Sequence, residues 1–113
     1  MNKKPLVILL AACGLLPLSA VQAAGDVEAG KAKFYTCIGC HGIEDYSNVY
    51  PTYKVPKVGG QSAVYIESAL KAYRDGQRSH PTMQGQARSL SDQDIADIAA
   101  YLAQTTVTTA GTE

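Results

Sequence analysis

Five consecutive residues constrain this 113-residue chain more than any other feature, because residues 37–41 read CIGCH. Two thiols at this spacing can each form a thioether with a vinyl group of a porphyrin, and the histidine that follows can bind the iron. The CxxCH pattern is the attachment signature of a c-type haem. We therefore expect one covalently bound haem c, with Cys37 and Cys40 as its attachment points and His41 as an axial iron ligand.

Other chemistries also use paired cysteines, and the rest of the chain argues against them. A structural zinc ion needs four ligands, and His41 and His80 are the only histidines that could join Cys37 and Cys40. A thioredoxin-like redox pair would need neighbouring strands rich in branched residues, and no such run lies nearby. The same five residues could also form a solvated turn that binds nothing. A second iron ligand elsewhere in the chain would favour a haem site over such a turn.

The N-terminal segment has the composition of a secretory signal peptide. Two lysines precede an apolar run over residues 6–21, and small residues follow near Ala23. A glycine and a proline interrupt the run, which is short for a hydrocarbon core of ~30 Å. We expect residues 1–23 to be removed during export, which predicts a bacterial periplasmic protein with no membrane span in its mature form.

Cys13 offers an alternative fate for this segment. Residues 10–13 read LAAC and resemble the lipobox of bacterial lipoproteins, in which the cysteine becomes the lipidated first residue. The apolar stretch continues beyond Cys13 to residue 18, as in the middle of a signal peptide rather than at the start of a polar tether. Ordinary cleavage is favoured, and a lipid anchor at Cys13 is the alternative.

Size and charge restrict the remaining chain to a small class. Cleavage after Ala23 leaves 90 residues, a single domain for which an apolar core alone gives marginal stability. The cleaved chain carries eight Lys and Arg residues against ten Asp and Glu residues. It has no basic stripe of the kind that binds nucleic acid. A buried cofactor and redox partner proteins are expected instead.

Hydrophobic periodicity predicts three helices and no strand. The first helix begins after Asp26 and leads to the haem motif, and the second lies between Ser62 and Asp75. The third begins after Ser91, with Asp94 completing a capping box.

The connections between these helices are predicted as loops. Residues 42–60 are rich in Gly and Pro and carry Tyr46, Tyr50 and Tyr53. These tyrosines are expected to pack within the loop or around a haem propionate. Residues 106–113 are expected to form a flexible tail.

A second iron ligand is expected between the last two predicted helices. Met83 is the only methionine after the leader and lies in the sequence HPTMQG. A single methionine is usually core filler, but this one is flanked by Pro and Gly and predicted to lie in a loop. Its thioether is the candidate for the iron face opposite His41. His80, three residues earlier, is the alternative and would give bis-histidine ligation.

Together these residues resemble class I c-type cytochromes over nearly the whole chain after the leader. The shared features are Gly30 and Phe34 in the first helix, the CIGCH motif, PKVGGQ at residues 56–61, Met83, and Tyr101 in the last helix. The pattern is similar to one half of the small bacterial dihaem periplasmic cytochromes, here with a single haem. The resemblance implies an all-α cytochrome c domain over residues 24–105, in which three main helices and long loops wrap one haem.

The resemblance also implies two specific contacts. The first and last helices are expected to cross at Gly30, against Tyr101 or Leu102. The carbonyl of Pro56 is expected to accept a hydrogen bond from Nδ1 of His41. Such a contact fixes the imidazole and makes it a better donor to iron.

If His41 and Met83 fill both axial positions, the iron has no open site for substrate, which favours electron transfer over catalysis. We expect a one-electron carrier that is not an enzyme; the alternative is an electron-accepting haem subunit of a periplasmic oxidoreductase complex. A gas sensor is disfavoured by the position of the motif. In the four-helix-bundle cytochromes with five-coordinate iron the CxxCH motif lies near the C-terminus, whereas here it begins thirteen residues after the predicted mature start. Partner docking is expected to use some of the basic residues Lys31, Lys33, Lys54, Lys57, Arg74, Arg78 and Arg88.

Overall fold

The computed structural model describes residues 24–42, 46–47 and 52–105. These residues form four helices: α1 Val27–His41, α2 Ala63–Arg74, α3 Pro81–Ala87 and α4 Asp92–Gln104. Apart from one isolated antiparallel bridge between Ser47 and Lys54, the described ranges contain no β-structure. The predicted all-α fold is confirmed.

Several predictions fall on other parts of the chain. The leader with Cys13, the tail over residues 106–113 and Tyr50 of the tyrosine-rich loop lie outside the described residues. Within the described ranges, no helix is both long enough and apolar enough to cross a membrane.

Side-chain caps determine where the three predicted helices begin. Asp26 accepts a hydrogen bond from an N–H of α1 at 2.7 Å, and Ser62 does the same for α2 at 3.1 Å. Ser91 caps α4 at 3.1 Å, and the Asp94 carboxylate accepts from the N–H of Ser91 at 2.9 Å. These contacts satisfy N–H groups that have no partner inside a helix. All three predicted starts, with the capping box, are confirmed.

The C-terminal end of α1 differs from the prediction. The sequence predicted a helix that ends at the haem motif, whereas α1 continues through the motif to His41. The reason is packing: Phe34, Cys37 and Ile38 lie three and four residues apart and join the same apolar cluster. The motif therefore gains core contacts by remaining helical.

Residues 81–87 also differ, because they were predicted as a loop and form α3. Pro81 occupies the first turn, where its missing N–H is not needed for the helix. His80 is the N-cap. Met83 accordingly lies in the first turn of a short helix rather than in an open loop.

The helices α1 and α4 cross in direct backbone contact at Gly30. A Cβ added to Gly30 would collide with the carbonyl oxygen of Asp97 and lie 2.9 Å from Cβ of Tyr101. One turn further along α1, Phe34 is 1% exposed, and its ring centroid lies 5.7 Å from that of Tyr101. The expected crossing of Gly30 with Tyr101 is therefore confirmed.

The main apolar core joins α1, α2 and α4. Its buried members are Phe34, Ile66, Ile98, Ala99, Tyr101 and Leu102. The helix α2 packs on both α4 and α3, yet Ile66 is its only buried residue. Ala69, Leu70 and Tyr73 lie on the same face of α2 as Ile66, at helical spacing, and are half-exposed. Protein atoms thus cover only part of the apolar face of α2.

A buried carboxylate adds a polar tie between α1 and α4. Asp97 is 2% exposed and accepts hydrogen bonds from the backbone N–H of Asp26 at 2.8 Å and from the Gln93 amide at 2.7 Å. The ammonium of Lys33 donates to its second oxygen at 2.5 Å. These donors, chiefly Lys33, hold the pKa of Asp97 below its ordinary value.

Lys33 also reaches a second carboxylate on α4. Its Nζ lies 2.9 Å from Oδ1 of Asp94. Hydrogen bonds from Ser91, together with Lys33, lower the pKa of Asp94 to about 2. One lysine of α1 is therefore shared by two carboxylates one turn apart on α4.

Candidate haem site

The last turn of α1 groups the thiols and the imidazole of the CIGCH motif. Residues three and four apart are neighbours on a helix surface, so Cys40 and His41 both lie next to Cys37. All three residues are half-buried, and both cysteines are free thiols. The helical turn therefore presents the two attachment points beside one candidate iron ligand.

The Cys37 thiol lies against the apolar core. Burial, the largest cause, raises its pKa, and the nearby Cys40 adds to the rise; the Thr36 hydroxyl, 3.8 Å from Sγ, acts in the opposite direction. A raised pKa keeps a thiol protonated at neutral pH, whereas redox-active and nucleophilic cysteines have lowered pKa values. The environment of Cys37 therefore does not suit a thioredoxin-like redox pair.

A zinc site is likewise not assembled by the described residues. Across residues 24–42, 46–47 and 52–105, no three His, Cys, Asp or Glu side chains come together in a way that could hold a metal ion. A tetrahedral zinc ion would need four such ligands. His80 in particular does not join Cys37, Cys40 and His41.

The His41 imidazole is oriented by the backbone of a distant segment. Its Nδ1 lies 2.8 Å from the carbonyl oxygen of Pro56. Because a carbonyl oxygen can only accept, Nδ1 carries the proton in this contact and Nε2 keeps a free lone pair. This is the hydrogen bond that the resemblance implied, and it leaves the ring nitrogen that binds metals available.

The segment that carries Pro56 is basic and exposed. Lys54 and Lys57 lie on either side of it and are both exposed. Residues 54–57 line a cavity of about 350 Å³. The backbone of this segment is fixed in part by the N–H of Val55, which donates to the carbonyl of Tyr46 at 2.9 Å. Positive side chains therefore flank the carbonyl that orients His41.

Met83 is half-buried in the first turn of α3, and its backbone is held by His80. The N–H of Met83 donates to Nδ1 of His80 at 3.4 Å, and the N–H of Gln84 donates to the His80 carbonyl at 2.8 Å. The His80 ring meets Tyr53 and Tyr73 edge-on, with centroid distances of 4.8 and 6.3 Å. His80, the alternative iron ligand in the sequence, is thus engaged as a helix cap.

The sequence did not predict the contacts of His80. Tyr53 and Tyr73 are separated from His80 by different distances along the chain, so no periodicity links the three residues. The Ser/Thr/Asn/Asp rule for N-caps does not include histidine. The available signal was Pro81, because a proline in the first turn directly after a side chain with an acceptor atom indicates a helix start.

The residues present fit a covalently bound haem. Two thiols, an imidazole nitrogen and a thioether make up the attachment and ligand set of a c-type haem with a Met/His iron. Ile38 and Leu70, half-exposed apolar side chains that pack against the same core as Cys37, suit the apolar surface of a porphyrin. The chemistry of the donors and of their surroundings therefore agrees.

A helical domain whose first and last helices cross at Gly30, with CxxCH on the first helix, defines a c-type cytochrome. The cytochrome c family model matches residues 27–106, and the chain belongs to that family. It is accordingly an electron-transfer protein and not an enzyme. Membership implies covalently bound haem c.

Two curated relatives indicate the place of the chain within the family. It is 53% identical over 81 residues to cytochrome c-554(548) of Halomonas halodenitrificans, which covers 69% of this chain and 94% of that protein. It is 45% identical over 103 residues to cytochrome c4 of Pseudomonas aeruginosa, which covers 91% of this chain and 48% of that protein. The chain spans about half of cytochrome c4, so the predicted resemblance to half of a larger cytochrome is confirmed.

A solved structure supports the same fold. The crystal structure of reduced recombinant cytochrome c4 from Pseudomonas stutzeri superposes with a TM-score of 0.58. The alignment covers 74% of this chain and 53% of that chain, at 24% sequence identity. The likeness is therefore one of helical arrangement.

Proposed function

We propose that this chain is a periplasmic one-electron carrier with a single haem c, bound through Cys37 and Cys40 and ligated by His41 and Met83. The observation that carries the proposal is the 2.8 Å contact between Nδ1 of His41 and the Pro56 carbonyl. A histidine that binds a metal through one ring nitrogen commonly donates the other N–H to a carbonyl or carboxylate. His41 has that orientation, and it directly follows the two thiols.

Met83 is the proposed second ligand because of its chemistry and its support. It is the only methionine after the predicted leader, and it is half-buried on a helix that packs on α2. His80 is the rival, but its Nδ1 accepts the hydrogen bond from the Met83 N–H.

Haem with these ligands supplies a one-electron Fe(III)/Fe(II) couple. The protein sets the potential through its own groups, because a methionine sulfur raises the potential relative to bis-histidine ligation. The Pro56 carbonyl acts in the opposite direction, since a hydrogen bond from Nδ1 makes His41 a stronger donor. With two protein ligands in place, the function of the chain is transfer of electrons between redox partner proteins.

Position narrows the candidates for docking. Lys33 is held by Asp94 and Asp97, and Arg74 pairs with Asp92 at 2.8 Å. Lys54 and Lys57 are exposed and lie in the chain on either side of Pro56, whose carbonyl meets the His41 imidazole. Lys54 and Lys57, beside Pro56, are the proposed contacts near the haem, where surface charge guides brief encounters.

The alternative role, an electron-accepting subunit of an oxidoreductase complex, is not favoured by the relatives described above, which carry cytochrome names.

The proposed periplasmic location rests on the predicted leader, with its cleavage near Ala23 and no lipid at Cys13. Mass spectrometry of the N-terminus of protein purified from a bacterial host tests this directly. A diacylated Cys13 as the first residue would overturn the free periplasmic location.

Optical spectroscopy of the holoprotein tests the ligand set. Ferric haem bound by a methionine sulfur has a weak absorption band at the red end of the visible spectrum, and Met83→Ala should remove it. Gly85→Ala is the matched control, because a Cβ there meets no atom within 4 Å and the residue lies on the same helix. A band that persists in Met83→Ala, or a wild-type protein without the band, contradicts ligation by Met83.

A further inference from the structure

His80 is the residue on which the position of Met83 depends most directly. Its Nδ1 accepts from the N–H of Met83 at 3.4 Å, and its carbonyl accepts from the N–H of Gln84 at 2.8 Å. Pro81, between them, has no N–H to satisfy. One residue therefore provides acceptors for two N–H groups in the first turn of α3.

The helix α3 depends on its cap more than the other helices do. It has seven residues, with Gly85 among them. Isolated helices shorter than about 12–15 residues are marginal in water, and among the four helices α3 packs only on α2. Loss of the cap would therefore loosen the first turn and the residue that the turn carries.

Two aromatic rings keep the His80 imidazole in place. The Tyr53 ring meets it at a centroid distance of 4.8 Å and an angle of 86°, and the Tyr73 ring at 6.3 Å and 77°. Tyr73 is itself covered by the Arg78 guanidinium. These contacts restrict the imidazole, so the acceptor nitrogen stays directed at the Met83 N–H.

The same short segment of chain contacts both His41 and His80. Pro56 accepts the hydrogen bond from His41, and Tyr53, three residues earlier, contacts His80. His80 in turn holds the backbone of Met83. The supports of the two ligands are therefore joined through residues 53–56.

We propose that His80 is a positioning residue that keeps the Met83 thioether on the haem iron by capping α3. This inference rests on the proposed ligation by His41 and Met83. Because Nδ1 of His80 accepts a hydrogen bond, the neutral ring carries its proton on Nε2. His80 thus acts through Met83 and does not compete with it for the iron.

Imidazole added to the ferric holoprotein tests this role, because it competes with Met83 for the iron. The apparent affinity for imidazole, followed by loss of the sulfur–iron band, measures how firmly Met83 is held. In His80→Ala we expect imidazole to bind roughly threefold to tenfold more tightly than in the wild type, the range that loss of a helix cap supplies. His80→Asn retains a strong cap acceptor and should restore the affinity to within about twofold of wild type.

Ser91→Ala is the matched control. It removes the N-cap of α4, a helix that packs on α1 and α2. We expect it to lower resistance to denaturant and leave imidazole affinity unchanged. An equal gain in imidazole affinity in Ser91→Ala would show that general loosening explains the effect, and would overturn the role of His80.

Other outcomes separate this proposal from the ligation on which it rests. Imidazole affinity in His80→Ala equal to wild type overturns the role of His80 while leaving ligation by Met83 intact. His80→Asn that binds imidazole as tightly as His80→Ala overturns capping as the mechanism. A wild-type spectrum without the sulfur–iron band overturns the ligation and this proposal together.

Discussion

His41 and Pro56 are joined by a hydrogen bond of 2.8 Å although they lie fifteen positions apart in the chain. The acceptor is a backbone carbonyl, so its position depends on the local chain rather than on a side chain. Proline fixes its own φ and restricts the residue before it, but it leaves rotation about ψ, which turns the carbonyl, free. The ring of Pro56 therefore narrows the directions open to its carbonyl, and the hydrogen bond to His41 selects one of them.

Pro56→Ala tests the importance of that direction. The carbonyl remains, but the freer backbone allows other orientations, so the Nδ1 proton of His41 should exchange faster with solvent. Weaker donation from the imidazole to ferric iron should also raise the midpoint potential. Proton exchange measured by NMR and redox titration check the two effects. Pro81→Ala is the control and should leave the exchange of the His41 proton unchanged; equal exchange in wild type and Pro56→Ala would contradict the argument.

Gly30→Ala should destabilise the holoprotein. The added methyl group would overlap the Asp97 carbonyl and lie 2.9 Å from Cβ of Tyr101, so α1 and α4 must separate. Overpacking of this kind costs about 1–3 kcal/mol. Lys31→Ala, at an exposed position on the same helix, is the control. It should change the free energy of unfolding by less than about 0.5 kcal/mol. Urea unfolding compares them, and equal midpoints would contradict the close crossing.

Asp97→Asn should lower the free energy of unfolding at neutral pH and change how that free energy depends on pH. Removing the charge leaves the hydrogen-bond donors around Asp97 with a weaker acceptor, at a cost of about 1–3 kcal/mol. The pKa of Asp97 is lowered in the folded protein, chiefly by Lys33. The stabilisation by its carboxylate is therefore complete above the ordinary value of about 4 and is lost as pH falls through the folded-state pKa.

Urea unfolding of wild type and Asp97→Asn at neutral and acidic pH checks this prediction. The difference in the free energy of unfolding between the two proteins should become smaller as the pH is lowered. Glu67→Gln is the control, because it removes a half-exposed surface pair with Lys71, with Nζ and Oε2 3.6 Å apart, that should contribute less than about 1 kcal/mol. A gap between wild type and Asp97→Asn that is constant with pH would show that the charge of Asp97 does not stabilise the fold.

The sequence predicted the features of the fold that depend on local signals. Asp26, Ser62 and Ser91 are residues that cap helices wherever they precede an apolar stripe, and each begins a helix here. The stripe of α4 is equally local, with Ile95, Ala99 and Leu102 buried. These signals do not depend on which residues pack against the helix.

The features that the sequence did not predict depend on tertiary contacts or on brief elements. The seven residues of α3 are too few for an apolar stripe, and their cap is a histidine held by two tyrosines. The ion pair of Lys33 with Asp97 joins residues 64 positions apart, and only the crossing of α1 with α4 brings them together. The extension of α1 could have been found, because Phe34, Cys37, Ile38 and His41 continue its helical spacing.

Carbon monoxide distinguishes an electron carrier from a gas sensor. With Met83 on the iron, the reduced wild-type protein should not bind carbon monoxide under native conditions, because both axial positions are filled by side chains. Met83→Ala should bind it, which is visible as a shift of the main haem absorption band. If native wild-type protein binds carbon monoxide with an affinity similar to that of Met83→Ala, the iron has an open site, as in a sensor or an enzyme.

Folding without haem tests how far the cofactor completes the core. On α2 only Ile66 is buried by protein atoms, and Ala69, Leu70 and Tyr73 stay half-exposed. A domain of this size has little apolar core to spare, and a ligand that binds only the folded state adds its binding energy to stability. Protein made without the haem-attachment machinery should therefore show reduced helicity and no cooperative thermal transition by circular dichroism, in contrast to the holoprotein. A cooperative transition like that of the holoprotein would mean that α1, α2 and α4 sustain the fold by their own packing.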